Sequence, residues 1–122
     1  MKIENIKFKA KCLDNGEWVK GSFVVMKISA LSKTTIGIVA AGGATLHEID
    51  PSTVCQFTGL TDKNGTPIYE GDMIMHKDNN AERRGTIAWD SKAAAFSFGQ
   101  DFLVHYPSED MVVIGNKFDE KK

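Results

Sequence analysis

Three histidines, two cysteines and a few neighbouring acids are the reactive side chains of this sequence, and their spacing sets what chemistry they can support. His47, His76 and His105 stand far apart, with no His-x-x-x-His or mixed Cys/His spacing to put two ligands on one metal. Each is expected to be a partly buried or surface imidazole. Glu70 with Asp72, and Glu109 with Asp110, sit beside turns. Asp72, directly after Gly71, is suited to accept backbone N–H groups of its own turn. Acid–base catalysis would need such a carboxyl in a cleft that shifts its pKa, and no spacing here demands one. Cys12 and Cys55 belong to no Cys-x-x-Cys pair and lie in strand-like patterns. Both read as small buried side chains in a reducing compartment. No Gly-x-Ser-x-Gly or Ser-x-x-Lys motif supplies a nucleophile. The glycine-rich stretch 40–44 lacks the spacing of a phosphate loop. The inventory therefore assigns no catalytic residue, no metal ligand and no cofactor, and a non-enzymatic protein is expected.

Two surface features remain. Lys7, Lys9 and Lys11 alternate with Ile6, Phe8, Ala10 and Cys12, which gives a strand with one basic face, read here as a basic edge. Arg83, Arg84, Trp89 and Lys92 form a second cluster, diluted by Asp78, Glu82 and Asp90. Cations beside an aromatic suit nucleic acid, because phosphate contacts supply affinity and a ring stacks a base. Lys on an edge strand also deters sheet-to-sheet pairing without any ligand. A net charge of −1 gives no global pull toward nucleic acid or an anionic membrane. The charge is uneven, however. Residues 1–34 hold seven Lys against three acids, and residues 35–122 hold eight Lys or Arg against thirteen acids.

The elements that must position these residues are short and turn-bounded. With 122 residues, 42% hydrophobic and 25% charged, the chain suits one ordinary domain or two small ones sharing a core. Asp14-Asn15-Gly16 turns the first strand into a partner, Trp18 to Met26. That partner is apolar on both faces, which calls for cover by the rest of the chain or by a second copy. Thr35 to Val39 and Leu46 to Ile49 are further strands, and Asp50-Pro51-Ser52 suits a single helical turn. Val54 to Thr58 then leads to Asn64-Gly65, expected to form a type I′ turn with positive φ at both residues. After Gly71-Asp72 come five short strands: Met73 to His76, Gly85 to Trp89, Ala94 to Phe98, Phe102 to Tyr106 and Met111 to Ile114. This layout points to a closed or nearly closed small barrel. The start, Met1 to Asn5, enters alternation without an apolar segment, so no signal peptide is expected, and no run is long enough to span a bilayer.

Residues Gln56 to Gly65, followed by Ile68-Tyr69-Glu70-Gly71-Asp72, resemble the signature of the YopX family of bacteriophage and prophage proteins. Leu13 to Val19 with Gly21 resembles the family's first hairpin, Ile49 to Val54 its approach to the signature, and Ile114-Gly115-Asn116 its closing motif. The closing motif departs slightly in continuing Lys117-Phe118-Asp119-Glu120, and residues 27–45 match no part of the pattern. The resemblance implies a phage-derived, β-rich protein with an SH3-like barrel in its second half, and it assigns no activity.

The expected architecture is all-β with little helix. An N-terminal β-hairpin region (1–53) packs on a C-terminal SH3-like small barrel (54–118), ahead of a frayed tail (119–122). The expected function is a non-enzymatic protein-binding module in the cytoplasm of a bacterial host, contacting an unidentified protein partner. Tyr69, Arg83, Arg84 and Trp89 are expected to border one groove. The alternative is a nucleic-acid binder using Lys7, Lys9 and Lys11. Self-association into a homo-oligomer is expected from the two-faced strand, and no membrane contact is.

Overall fold

The computed structural model describes residues 5–28, 30, 33–40, 43, 45–78 and 81–119. The polar break expected at 29–33, the loose loop at 40–44, the tip of 77–84 and the tail 119–122 lie wholly or partly outside those residues. Eleven strands are described: β1 Phe8–Lys11, β2 Trp18–Ile28, β3 Lys33–Ala40, β4 Leu46–Glu48, β5 Cys55–Thr61, β6 Pro67–Tyr69, β7 Asp72–Lys77, β8 Glu82–Asp90, β9 Ala95–Phe98, β10 Asp101–Phe102 and β11 Met111–Asn116. All pairings are antiparallel, and helix among the described residues is limited to short 3-10 turns. The β-dominated class read from the sequence is what the chain forms.

The chain divides into two compact units, Met1–Gln56 and Phe57–Lys122. In the first, β4, β3, β2 and β1 lie side by side, and the opening residues of β5 add on beyond β1. Ala10, Ile38 and Ile49 form its buried centre, with Phe8, Val19, Ile36 and Val54 packed around them. Asp50 caps the 3-10 turn Pro51–Thr53 by accepting the Ser52 N–H, as its place before a proline suggests. Thr53 Oγ1 then accepts the Lys11 N–H at 2.9 Å. Cys12 and Cys55 are free and buried. Burial first, then Asp14 and Glu17, push the Cys12 thiol up, which keeps it protonated. Val25 (59%) and Met26 (45%) stand exposed toward opposite faces of β2, so neither face of that strand is fully covered.

Gly21 marks where the first sheet is tightest. It is buried opposite both Phe8 and Ala40, at φ +156°. A Cβ there would run into the Val39 carbonyl, so no other residue fits without moving the backbone.

In the second unit a five-stranded sheet runs β10-β9-β8-β7-β11. The hairpin of β5 and β6 lays Ile68 into the core formed by Ile74, Ile87, Phe98, Leu103 and Met111. Among the described residues the hydrogen-bonded order is open, with β10 and β11 at its edges, so of the closed or nearly closed barrel expected, the closed ladder is not formed. The fourth expected strand, Phe102 to Tyr106, is cut short: after Phe102 the chain makes a 3-10 turn, Leu103–His105. Asp101 causes this by gathering the Phe102 N–H, the His105 ring and the Tyr106 hydroxyl onto one carboxylate.

The hairpin tip also differs from expectation. Gly65 has φ +81°, but Asn64 is not among the described residues with positive φ, so the turn is not type I′. Gly65 N–H bonds the Asp62 carbonyl, while Asp62 Oδ1 accepts the Asn64 and Thr66 N–H groups. A carboxylate holding two amides favours an ordinary turn followed by one left-handed glycine.

Candidate functional site

The signature acids are structural ties. Asp62, 5% exposed, also accepts the Val113 N–H on Oδ2 at 3.0 Å, joining the hairpin tip to β11. Asp72, 1% exposed, accepts the Tyr69 N–H at 2.7 Å, as expected of a turn cap. It also accepts the Asn116 amide at 2.9 Å, and Asn116 in turn accepts the Phe118 N–H. Gly71 between them bonds Ile87 and Lys117 through its backbone. The signature and the closing motif are thus one hydrogen-bonded unit, occupied in holding β5, β6, β7 and β11 together.

Burial alone would raise the Asp62 pKa. The N–H groups of Val113, Thr66 and Asn64, with the charge of Lys63, outweigh it and hold the carboxyl below its usual range. A depressed folded-state pKa gives stability that is complete above the unfolded value, about 4, and lost as pH falls through the lower folded one. Asp62→Asn is therefore expected to flatten the acid limb of the stability curve below about pH 4. Urea midpoints measured from pH 6 down to pH 3 check this, and parallel curves for the two proteins would contradict it.

The residues expected to share a groove are separated. Tyr69 is buried, its ring 5.4 Å from that of Phe57, so it borders no groove. Desolvation, then Asp72, push its hydroxyl above the usual range. The reason is that β6 turns both Ile68 and Tyr69 inward. Arg83, Ile87 and Trp89 alternate onto one face of β8, but Ile87 is buried between the other two. Six residues of strand put Arg83 and Trp89 about 20 Å apart. Each therefore belongs to a different cavity.

The cavity at Trp89 is an open, largely apolar groove of about 620 Å³. Thr58 and Leu60 of β5 form one wall, and Phe102, Leu103 and Val104 another. Trp89 meets Phe96 edge-on, with ring centroids 5.1 Å apart. Ala93, Ala94 and Ala95 also line it, and their small side chains take up little space. Asp90 Oδ1 holds that turn by accepting the Lys92 and Ala93 N–H groups. Ala94 follows with φ +52°, a backbone state more usual for Gly or Asn, at a position lining the groove. The Thr58 hydroxyl is committed to the Ile68 carbonyl, so it adds little polarity. Trp89 is 45% exposed, Phe102 37% and Val104 84%. Apolar surface concentrated in this way on a concave wall is the usual mark of a binding site. The sequence pattern singles out Trp89, whereas it predicts only ordinary strand positions for Phe102 and Val104.

The second cavity, about 530 Å³, is lined by Arg83, Arg84, Phe98, Gly99, Gln100, Asp101 and Tyr106. Arg84 pairs with Glu82 at 3.2 Å, and the Arg83 guanidinium lies over the Tyr106 ring at 5.9 Å. Backbone bonding from Phe102, then the His105 ring, hold the Asp101 carboxyl below its usual range. His76, 2% exposed, packs against Phe98 and Tyr106, and neither of its ring nitrogens is hydrogen-bonded to a described residue.

The basic strand is not an edge. β1 pairs with β2 on one side and with Cys55 and Gln56 on the other, because the chain returns to it after Asp50. Lys9 and Lys11 lie over the Trp18 ring at 4.7 and 5.4 Å, and Lys20 stands opposite Lys9. Lys9 and Lys11 thus share a basic face in the middle of a sheet, and Lys7 directly precedes β1. No group of three or more His, Cys, Asp or Glu among the described residues is placed to hold a metal. No helix among them is long and apolar enough to cross a membrane.

Fold and site together define an antiparallel two-sheet β protein with an aromatic-lined groove on its second sheet. The chain belongs to the YopX protein family, whose model matches residues 7–121, nearly its whole length. No curated protein matches it.

Proposed function

We propose that this protein is a non-enzymatic peptide-binding module, and that the Trp89 groove holds an apolar segment of a partner protein. The single observation carrying this is the exposed lining of Trp89, Phe102 and Val104 beside three alanines. Aromatic and aliphatic anchors in a desolvated pocket supply most of the energy of such contacts. The same reading takes the second unit as an SH3-like barrel, because its last strand returns to pair with the first of five short strands. A phage or prophage origin and a bacterial cytoplasm complete it: the family resemblance supports the first, and two free buried thiols suit the second. On β2, Phe23 and Val25 are exposed on one face and Met26 on the other, and a second copy would pair over one of these faces. Nucleic-acid binding through Lys7, Lys9 and Lys11 is the lesser reading, since two of those lysines already cover the Trp18 ring that would stack a base.

Selection of a random peptide display library on the full chain tests the main reading. Enriched peptides are expected to carry aromatic and aliphatic residues, and to bind Trp89→Ala about tenfold more weakly. Val104→Asp, at a position too exposed to unsettle the fold, is expected to weaken binding likewise. No enrichment, or equal binding by both variants, would overturn it.

A further inference from the structure

We propose that the cavity walled by Arg83, Arg84, Gln100 and Tyr106 is a second binding site, for a small oxyanion: a phosphate monoester or a carboxylate. This site is separate from the peptide groove and stands independently of it. Arg83 carries the proposal. Its guanidinium is held over the Tyr106 ring, and no acid among the described residues pairs with it. A guanidinium steadied on an aromatic face loses little freedom when its fork meets two oxygens of an anion. Arg84 adds a second cation and shares its charge with Glu82.

The one carboxylate in the wall, Asp101, is occupied by hydrogen bonds within its own loop. Asp101 Oδ1 is taken by the Phe102 N–H and the His105 Nδ1, each at 2.7 Å, and Oδ2 by the Tyr106 hydroxyl at 3.2 Å. Engaged by its own loop, Asp101 orients Tyr106; it keeps its charge but makes no ion pair with Arg83. Gln100 supplies an uncharged amide at the rim.

His76 is the second, independent observation. It stands directly across the β7–β8 ladder from Arg83, so the two side chains share a face. Its ring packs edge-on against Tyr106 at 5.1 Å and near Phe98 at 6.4 Å, and both of those residues line the cavity. Buried polar groups are nearly always hydrogen-bonded, and this imidazole, packed against two residues of the cavity wall, has no partner for either nitrogen among the described residues. A core position with no polar role would serve better with Leu or Phe.

The test is NMR titration of the full-length chain with inorganic phosphate and, separately, with acetate, at ionic strength held constant by sodium chloride. Saturable shifts at Arg83 Nε, Gln100 and the His76 ring are expected from at least one anion, and the tighter of the two identifies the group recognised. Arg83→Gln, a change at an exposed residue, is expected to weaken that binding about tenfold and to leave the unfolding midpoint in place. Shifts that rise without saturation, that chloride alone reproduces, or that persist unchanged in Arg83→Gln would overturn the proposal.

Discussion

Asp72→Ala is expected to be the most destabilising single change in the second unit, by about 3–5 kcal/mol. The carboxylate is 1% exposed and accepts the Tyr69 N–H and the Asn116 amide, so its loss strands two donors away from water. Each unsatisfied buried donor costs about 1–3 kcal/mol, while the deleted side chain also leaves a small void. The effect should be coupled: Asn116→Ala alone also breaks the bond, so the double variant should lose less than the two single losses added. Urea unfolding followed by Trp89 fluorescence in a Trp18→Phe background reads the second unit alone. Additive losses would mean that Asp72 and Asn116 do not act through each other.

Gly21→Ala should be the corresponding lesion in the first unit, costing about 3 kcal/mol or more. One methyl group is added, yet it meets a neighbouring backbone carbonyl where no side chain can rotate aside. The backbone at φ +156° is also one that alanine rarely adopts. Relief requires β2 and β3 to separate near Ser22 and Val39, which would expose the Ile38 and Ala10 core beside them. Trp18 fluorescence in a Trp89→Phe background reports this event. An unfolding midpoint equal to that of the parent would show that the strands close differently from the geometry described.

What was legible in the sequence was its local grammar. Gly16, Gly65 and Gly71 each take positive φ where a reversal was expected, and Asp50-Pro51 opens the one helical turn foreseen there. Alternation put Phe8, Ala10 and Cys12 on one apolar face of the first strand, and Ala10 lies in the core there. Contacts distant in sequence were not legible. That Asp62 and Asp72 both reach β11 depends on where a strand some forty to fifty residues later docks. For the same reason β1 looked like an edge: the strand that covers it begins only at Cys55. Periodicity likewise cannot say which strand residues end up under cover. Tyr69 and Trp89 are both aromatics in short strands, and the neighbours brought by folding bury the first and leave the second half exposed. The Asp101 cluster was missed because a carboxylate that collects its own following residues erases a strand that the apolar pattern otherwise supports.

This gives the chain a division of labour. Asp62, Asp72 and Asn116 are bound up in internal hydrogen bonds, and the groove proposed to hold a partner lies on β8, β9 and the turn after β10. Chemical-shift mapping of a selected peptide on the isotope-labelled full chain tests that division most directly. Changes confined to Leu60, Trp89, Phe96, Phe102 and Val104, with the Asp62, Asp72 and Asn116 signals unmoved, are the expected result. Changes centred on those three polar residues, or on the Lys9 and Trp18 face, would contradict it.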